Sequence, residues 1–122
     1  MIKVTYYPEY RQLTIEGHAG AGEMGHDLVC AAASGIWHTL AVNAMAWKDN
    51  GYLVDMRMQE IEGYCKLSFV PKAKWKNLLA TIAGAIVLGL EDLAQRYPEH
   101  IERKSPRYSS LAAFASTRAR LV

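Results

Sequence analysis

From residue 28 to residue 47 the chain carries no Asp, Glu, Lys or Arg, and a second uncharged stretch runs over 77–90. These stretches constrain the fold most, because each has to leave water, either into lipid or against other parts of the chain. Crossing a bilayer takes about 20 predominantly apolar residues. The 77–90 stretch has 14 residues, and the 28–47 stretch, with 20, includes Ser34, His38, Thr39 and Asn43. In the longer stretch Val29, Ala32, Ile36, Leu40, Ala44 and Trp47 recur at helical spacing, which predicts a buried amphipathic helix over 28–48, ended by Asp49-Asn50-Gly51. Trp75, Leu78, Leu79, Ile82, Ile86, Leu90, Leu93 and Tyr97 mark a second helix over 72–96, stopped by Pro98. Gly84 and Gly89 are poor helix formers and mark places where another element comes close.

The other segments alternate as strands do. Residues 3–7 and 10–17 flank Pro8-Glu9 and read as a hairpin, with Gln12, Leu13, Thr14, Ile15 and Glu16 alternating polar and apolar. A second hairpin is predicted from 52–58 and 64–70, turning through 59–63, with Cys65, Leu67 and Phe69 on one face and Pro71 at its end. Residues 100–104 can add an edge strand. The order ββαββα(β) is an α+β fold: a mixed or antiparallel sheet of two hairpins with two helices packed on one face. A chain of 122 residues has room for one domain, which we place at 1–104, followed by a basic tail at 105–122 whose composition fits disorder.

The formal charge of +2 divides unevenly, since the tail holds Arg107, Arg118 and Arg120 and no acid, leaving the body at −1. A balanced body lacks the basic face of a nucleic-acid binder. Two cysteines make no disulfide scaffold, and the N-terminal residues lack the basic start and apolar run of a secretion signal. The expectation is a cytoplasmic protein, with no membrane and no direct nucleic-acid contact.

Chemistry concentrates in residues 18–30, which hold His18, Glu23, His26, Asp27 and Cys30. Three readings apply. Gly20-Ala21-Gly22-Glu23-Met24-Gly25 fits the dinucleotide pattern G-x-G-x-x-G, but the downstream strands form a hairpin rather than a parallel unit. Asp27 would also repel a pyrophosphate at the helix start. His18, His26 and Cys30, with Asp27 or Glu23, are zinc-ligand types at a spacing that matches no common ligand set. The third reading is a nucleophilic cysteine. With Asp27 as N-cap, Cys30 falls in the first helical turn, where free N–H groups and the helix dipole favour a thiolate. His18, at the end of the preceding strand, could reach across the loop as general base. Gly17, Gly20, Gly22 and Gly25 make that loop permissive in conformation. Against this stands a plain core cysteine, as Leu28-Val29-Cys30-Ala31-Ala32-Ala33 is apolar.

The run Gly17-His18-Ala19-Gly20, then Gly25-His26-Asp27-Leu28-Val29-Cys30-Ala31-Ala32-Ala33-Ser34, closely resembles the signature of the ribosomal-processing cysteine proteases (the Prp family). The resemblance covers about residues 1–104. It implies a small homodimeric α+β endopeptidase, without metal or other cofactor, that removes an N-terminal extension from a large-subunit ribosomal protein. In that reading Cys30 is the nucleophile and His18 the base, then the acid to the leaving amine. Asp27 caps the helix and helps orient the histidine, and the Gly17, Gly20, Gly22, Gly25 and His26 loop orders over the substrate. The first-turn N–H groups near Cys30 are candidate oxyanion donors. Alternatives are a phage-associated protease acting on a capsid or scaffold protein, and a non-catalytic peptide- or ribosome-binding module of the same fold.

His26 is a second candidate base. Ser34, one turn from Cys30, either lines the site or bonds the helix backbone. His38 lies about 12 Å along the axis from Cys30, too far to take its proton, and reads as a partly buried polar-face residue. Cys65 reads as core, His100 as solvated, and Trp37, Trp47 and Trp75 as packing residues on helix faces.

Overall fold

The computed structural model describes residues 1–18, 20 and 27–104. Strands β1 (Ile2–Tyr7) and β2 (Gln12–Glu16) precede the long helix α1 (Leu28–Asp49). Strands β3 (Leu53–Ile61) and β4 (Tyr64–Pro71), helix α2 (Lys76–Arg96) and the short strand β5 (Ile101–Arg103) complete the order. The strands form one five-stranded sheet in the order β3-β4-β2-β1-β5. All pairings are antiparallel except β1 with β5, so the sheet is mixed.

Period-two alternation sorts the sheet into two faces. Ile2, Val4, Tyr6, Leu13, Leu67, Phe69 and Ile101 are buried on the face beneath the helices, whereas Lys3, Thr5, Gln12, Thr14, Lys66 and Ser68 alternate with them on the other. Burial raises the pKa of the Tyr6 phenol, keeping it neutral in this core. The first hairpin turns through a single 3-10 turn, Pro8–Tyr10, and Arg11 adopts left-handed geometry (φ 45°) to re-enter the sheet.

In α1 the buried stripe is Val29, Ala33, Trp37, Leu40, Ala41, Ala44 and Trp47. Ala32 is therefore exposed and Ile36 only partly covered, a one-residue rotation of the predicted face. The reason is steric: Trp37 is the largest side chain available, and it takes the sheet-facing position. Ile36 instead meets α2, where a Cβ on Gly89 would stand 3.2 Å from its Cδ1. Gly89 thus marks a close helix–helix approach, as expected, but Gly84 has open space beside it. In α2 the buried residues are Leu79, Ala83, Val87, Leu90 and Leu93, while Leu78 and Tyr97 face solvent. Trp75 sits in a 3-10 turn ahead of α2 rather than on its face, stacked on Tyr52 at 3.9 Å between ring centroids. Both helices are long and apolar enough to cross a membrane by length and composition, and each lays one face on the sheet.

The second hairpin is tighter than predicted. The second arm starts at Tyr64 as predicted, but the first runs on to Ile61, which pairs with Tyr64 and leaves Glu62 and Gly63 as the turn. Pairing of β2 with β4, from Gln12↔Ser68 to Glu16↔Tyr64, puts this turn beside the end of β2. The backbone N–H of Gly17 donates to the Gly63 carbonyl at 2.8 Å. One end of the sheet therefore gathers the β2 exit, the β3–β4 turn and the start of α1.

Candidate active site

Cys30 is placed by a helix cap. Asp27, extended at φ −81° and ψ 103°, accepts the Cys30 backbone N–H on Oδ1 at 2.9 Å. Its own carbonyl accepts from Ala31 N–H at 3.0 Å. Such a cap satisfies one of the donors that every helix start leaves unbonded. The Cys30 N–H is thus taken by the Asp27 carboxylate. The first-turn donors outside this cap bond are those of Leu28 and Val29.

His18 is placed by the β2 exit. Gly17 has φ +92°, and a Cβ there would stand 2.3 Å from the Met1 carbonyl oxygen, so only glycine fits. The Met1 amine donates to the His18 carbonyl, and Ile2 N–H donates to that of His100 at 2.8 Å, tying this corner to the end of α2. His100 is accordingly half-buried rather than solvated.

A cavity of about 420 Å³ lies between the first half of α1 and the tip of the β3–β4 hairpin. Gly17, His18, Cys30 and Ser34 all line it. Ile2, Ile15, Ala33 and Trp37 give it apolar lining, and His38, Glu60 and Glu62 add polar groups. Ser34 therefore lines the site. Gly20 is left-handed (φ +67°) with open space around it. Gly22, Gly25 and His26 lie outside the described residues, as do Ala19 and Glu23. Among the described residues, no three His, Cys, Asp or Glu side chains come together in a way that would hold a metal.

Two lining residues carry more polar chemistry than the sequence suggested. Glu60, near the end of β3, points toward α1 and accepts the Trp37 indole N–H at 2.6 Å. His38 approaches the same carboxylate oxygen at 3.6 Å, and its side chain is 60% exposed, so it is more open than the partly buried residue expected. Alternation along β3 could have placed Glu60 on the inner face, but no local pattern reveals a partner 23 residues away. Cys65 is half-buried and packs against the core while also lining the cavity. Burial, and then the nearby Glu60 charge, push its thiol above the usual cysteine value.

A thiol in the first turn of a helix, an imidazole on the facing segment and a cleft that reaches both are the parts of a cysteine peptidase site. The profile of the family described as "Cysteine protease Prp" matches residues 1–102. The ribosomal processing cysteine protease Prp of Mycoplasma pneumoniae is 30% identical over 107 residues, covering 88% of this chain and 97% of the relative. A crystal structure of SMU.848 from Streptococcus mutans superposes with a TM-score of 0.58 at 28% identity, covering 85% of this chain and 90% of the other. The fold also matches that of the S. aureus ribosomal processing protease Prp with a covalently linked product peptide: TM-score 0.65, 24% identity, coverage 86% and 97%. The chain belongs to the cysteine protease Prp family.

Proposed function

We propose that this protein is a cysteine endopeptidase that removes the N-terminal extension of a large-subunit ribosomal protein, with Cys30 as nucleophile and His18 as general base. The observation that carries this reading is the convergence of Cys30, in the capped first turn of α1, and His18 on one cavity of about 420 Å³. Family membership supports it, as does the name of the M. pneumoniae relative.

The chemistry follows from those positions. The His18 imidazole accepts the Cys30 thiol proton as Sγ adds to the scissile carbonyl carbon, and the carbonyl oxygen becomes an oxyanion. The Leu28 and Val29 N–H groups, at the positive end of α1, are the donors we assign to it. Collapse breaks the C–N bond, the leaving amine takes the proton from His18, and a thioester to Cys30 remains. Water, deprotonated by His18, then adds to the thioester. The second collapse breaks the C–S bond and releases the carboxylic acid, which ionises to solvent, and His18 returns its proton to the Cys30 sulfur. Asp27 serves by holding Cys30 in the first turn, and the Gly17–His26 loop with Ser34 borders the substrate.

We place the working domain at 1–104, acting in the cytoplasm as a homodimer. Apolar side chains left in solvent on the helix layer support pairing, among them Val42 and Met45 on α1 and Leu78 on α2. Extensive exposed apolar surface is unusual on a monomer.

The deciding experiment mixes wild type and Cys30→Ala with an N-terminally extended ribosomal protein and reads intact masses. Loss of one defined N-terminal peptide with wild type alone is the expected result. Failure to cleave while Cys30 still alkylates rapidly points to another protein substrate, such as a phage capsid or scaffold. No cleavage with a slow thiol would mean a binding module on the same fold.

A further inference from the structure

The β3–β4 turn ends on Gly63, whose φ of +76° is a left-handed conformation. That alone asks for glycine, or for asparagine, which tolerates the same region. A second demand at this position has nothing to do with the backbone. A methyl carbon built on the Gly63 Cα would stand 3.2 Å from His18 Nε2, 3.8 Å from Cε1 and 3.9 Å from Cδ2. The imidazole edge bearing Nε2 therefore lies against the bare face of the turn. The Gly63 carbonyl meanwhile holds the N–H of Gly17, the residue before His18. One turn residue thus touches the ring of the candidate base and anchors the backbone that leads into it.

We propose that Gly63 is a positioning residue for His18: its missing side chain sets where Nε2 rests over the cavity. The inference rests on the reading of His18 as base. A carbon at 3.2 Å is closer than ordinary packing allows, so the imidazole has to yield. His18 is exposed, so its ring can swing away at little cost to the fold. The damage would therefore fall on alignment with Cys30 rather than on folding, and displacements of this order are costly when reacting groups must sit within hydrogen-bond reach.

The protein contains its own control. Gly51, after α1, has φ +77°, and a Cβ there would meet only the flexible Lys72 ammonium at 3.8 Å. An alanine at 51 or at 63 forces the same left-handed backbone, but only at 63 does it push on the imidazole. The experiment compares wild type, Gly63→Ala, Gly63→Asn, Gly51→Ala and His18→Ala in full-length protein. It uses a peptide spanning the cleaved bond, with kcat and KM separated and Tm measured on each variant. The expected result is a fall in kcat of about 10- to 100-fold for both Gly63 variants with KM within about twofold, while Gly51→Ala stays within about twofold in both constants. Gly63→Asn removes most of the backbone strain, so it keeps the test open if Gly63→Ala folds poorly. If His18→Ala is inactive but the folded Gly63 variants match Gly51→Ala, the positioning role is wrong and the dyad stands. If His18→Ala cleaves like wild type, the dyad reading fails and takes this inference with it.

Discussion

Two cysteines look into one cavity from opposite walls, and their surroundings are not alike. Cys30 enters from the first turn of α1, at the positive end of the helix dipole, and His18 lines the same cavity. Cys65 enters from the beginning of β4, opposite Glu60 in the strand register. There its thiol is held above its usual pKa by burial and by that carboxylate. The same functional group thus meets the same cleft from a helix start in one place and from a strand beside a carboxylate in the other. A helix start offers a net dipole to a nearby group and a strand does not.

The largest effect should come from exchanging the two thiols' fates. Cys30→Ala should reduce cleavage by at least about 10³-fold, as loss of a nucleophile does in related chemistry. Cys65→Ser should cost less than about tenfold. Equal losses in a steady-state peptide assay would end the distinction between the two thiols.

Next in size is the imidazole. His18→Ala should lower kcat by about 10²–10⁴-fold and should slow alkylation of Cys30 while leaving Cys65 unchanged. Residue-resolved mass spectrometry after brief iodoacetamide exposure reads both thiols at once, and a parallel slowing at Cys65 would show a general disturbance of the cavity.

A smaller effect is expected at the cap. Asp27→Ala removes the acceptor of the Cys30 N–H and should destabilise the protein by about 0.5–2 kcal/mol in a denaturant titration. It also frees that N–H to face the oxyanion and removes a negative charge beside the nucleophile. The residual activity of the variant, corrected for the folded fraction, therefore shows whether Asp27 does more than hold the helix start. Asp27→Asn, which keeps an acceptor, should recover most of the stability.

The smallest change concerns Cys65. Glu60→Gln keeps an oxygen to accept the Trp37 indole N–H but removes the charge that helps raise the Cys65 pKa. The sign is definite: a lower pKa means more thiolate at any pH below it, so Cys65 should alkylate a few-fold faster near pH 8. The shift is modest because burial, the larger cause, remains. An unchanged rate at Cys65 would show that the carboxylate does not reach it through the cavity.

Much of this was legible in the residues. The uncharged stretches, their helical spacing, the stops at Asp49-Asn50-Gly51 and Pro98, and the strand alternation predict the element order that is observed. Local chemistry suffices there, because caps, breakers and periodicity act over a few residues. Asp27 as the N-cap and Cys30 in the first turn belong to the same class of information. The Gly17–Ser34 run was specific enough to indicate the family.

The tertiary structure decided the rest, and each case depends on something far away in the chain. Which stripe of α1 faces the sheet turns on where the large Trp37 fits, not on a count of apolar residues. Pairing of β5 with β1 makes the sheet mixed. Cys65 reads as core from its alternation with Leu67 and Phe69, yet the hairpin tip opens it to the cavity. Glu60 meets Trp37 and His38 across two layers, and Gly63 meets His18 across 45 residues. Composition and spacing settle what each segment will form, because that energy is local. Which side chains share a cleft is set by packing between segments, and no short-range pattern encodes it.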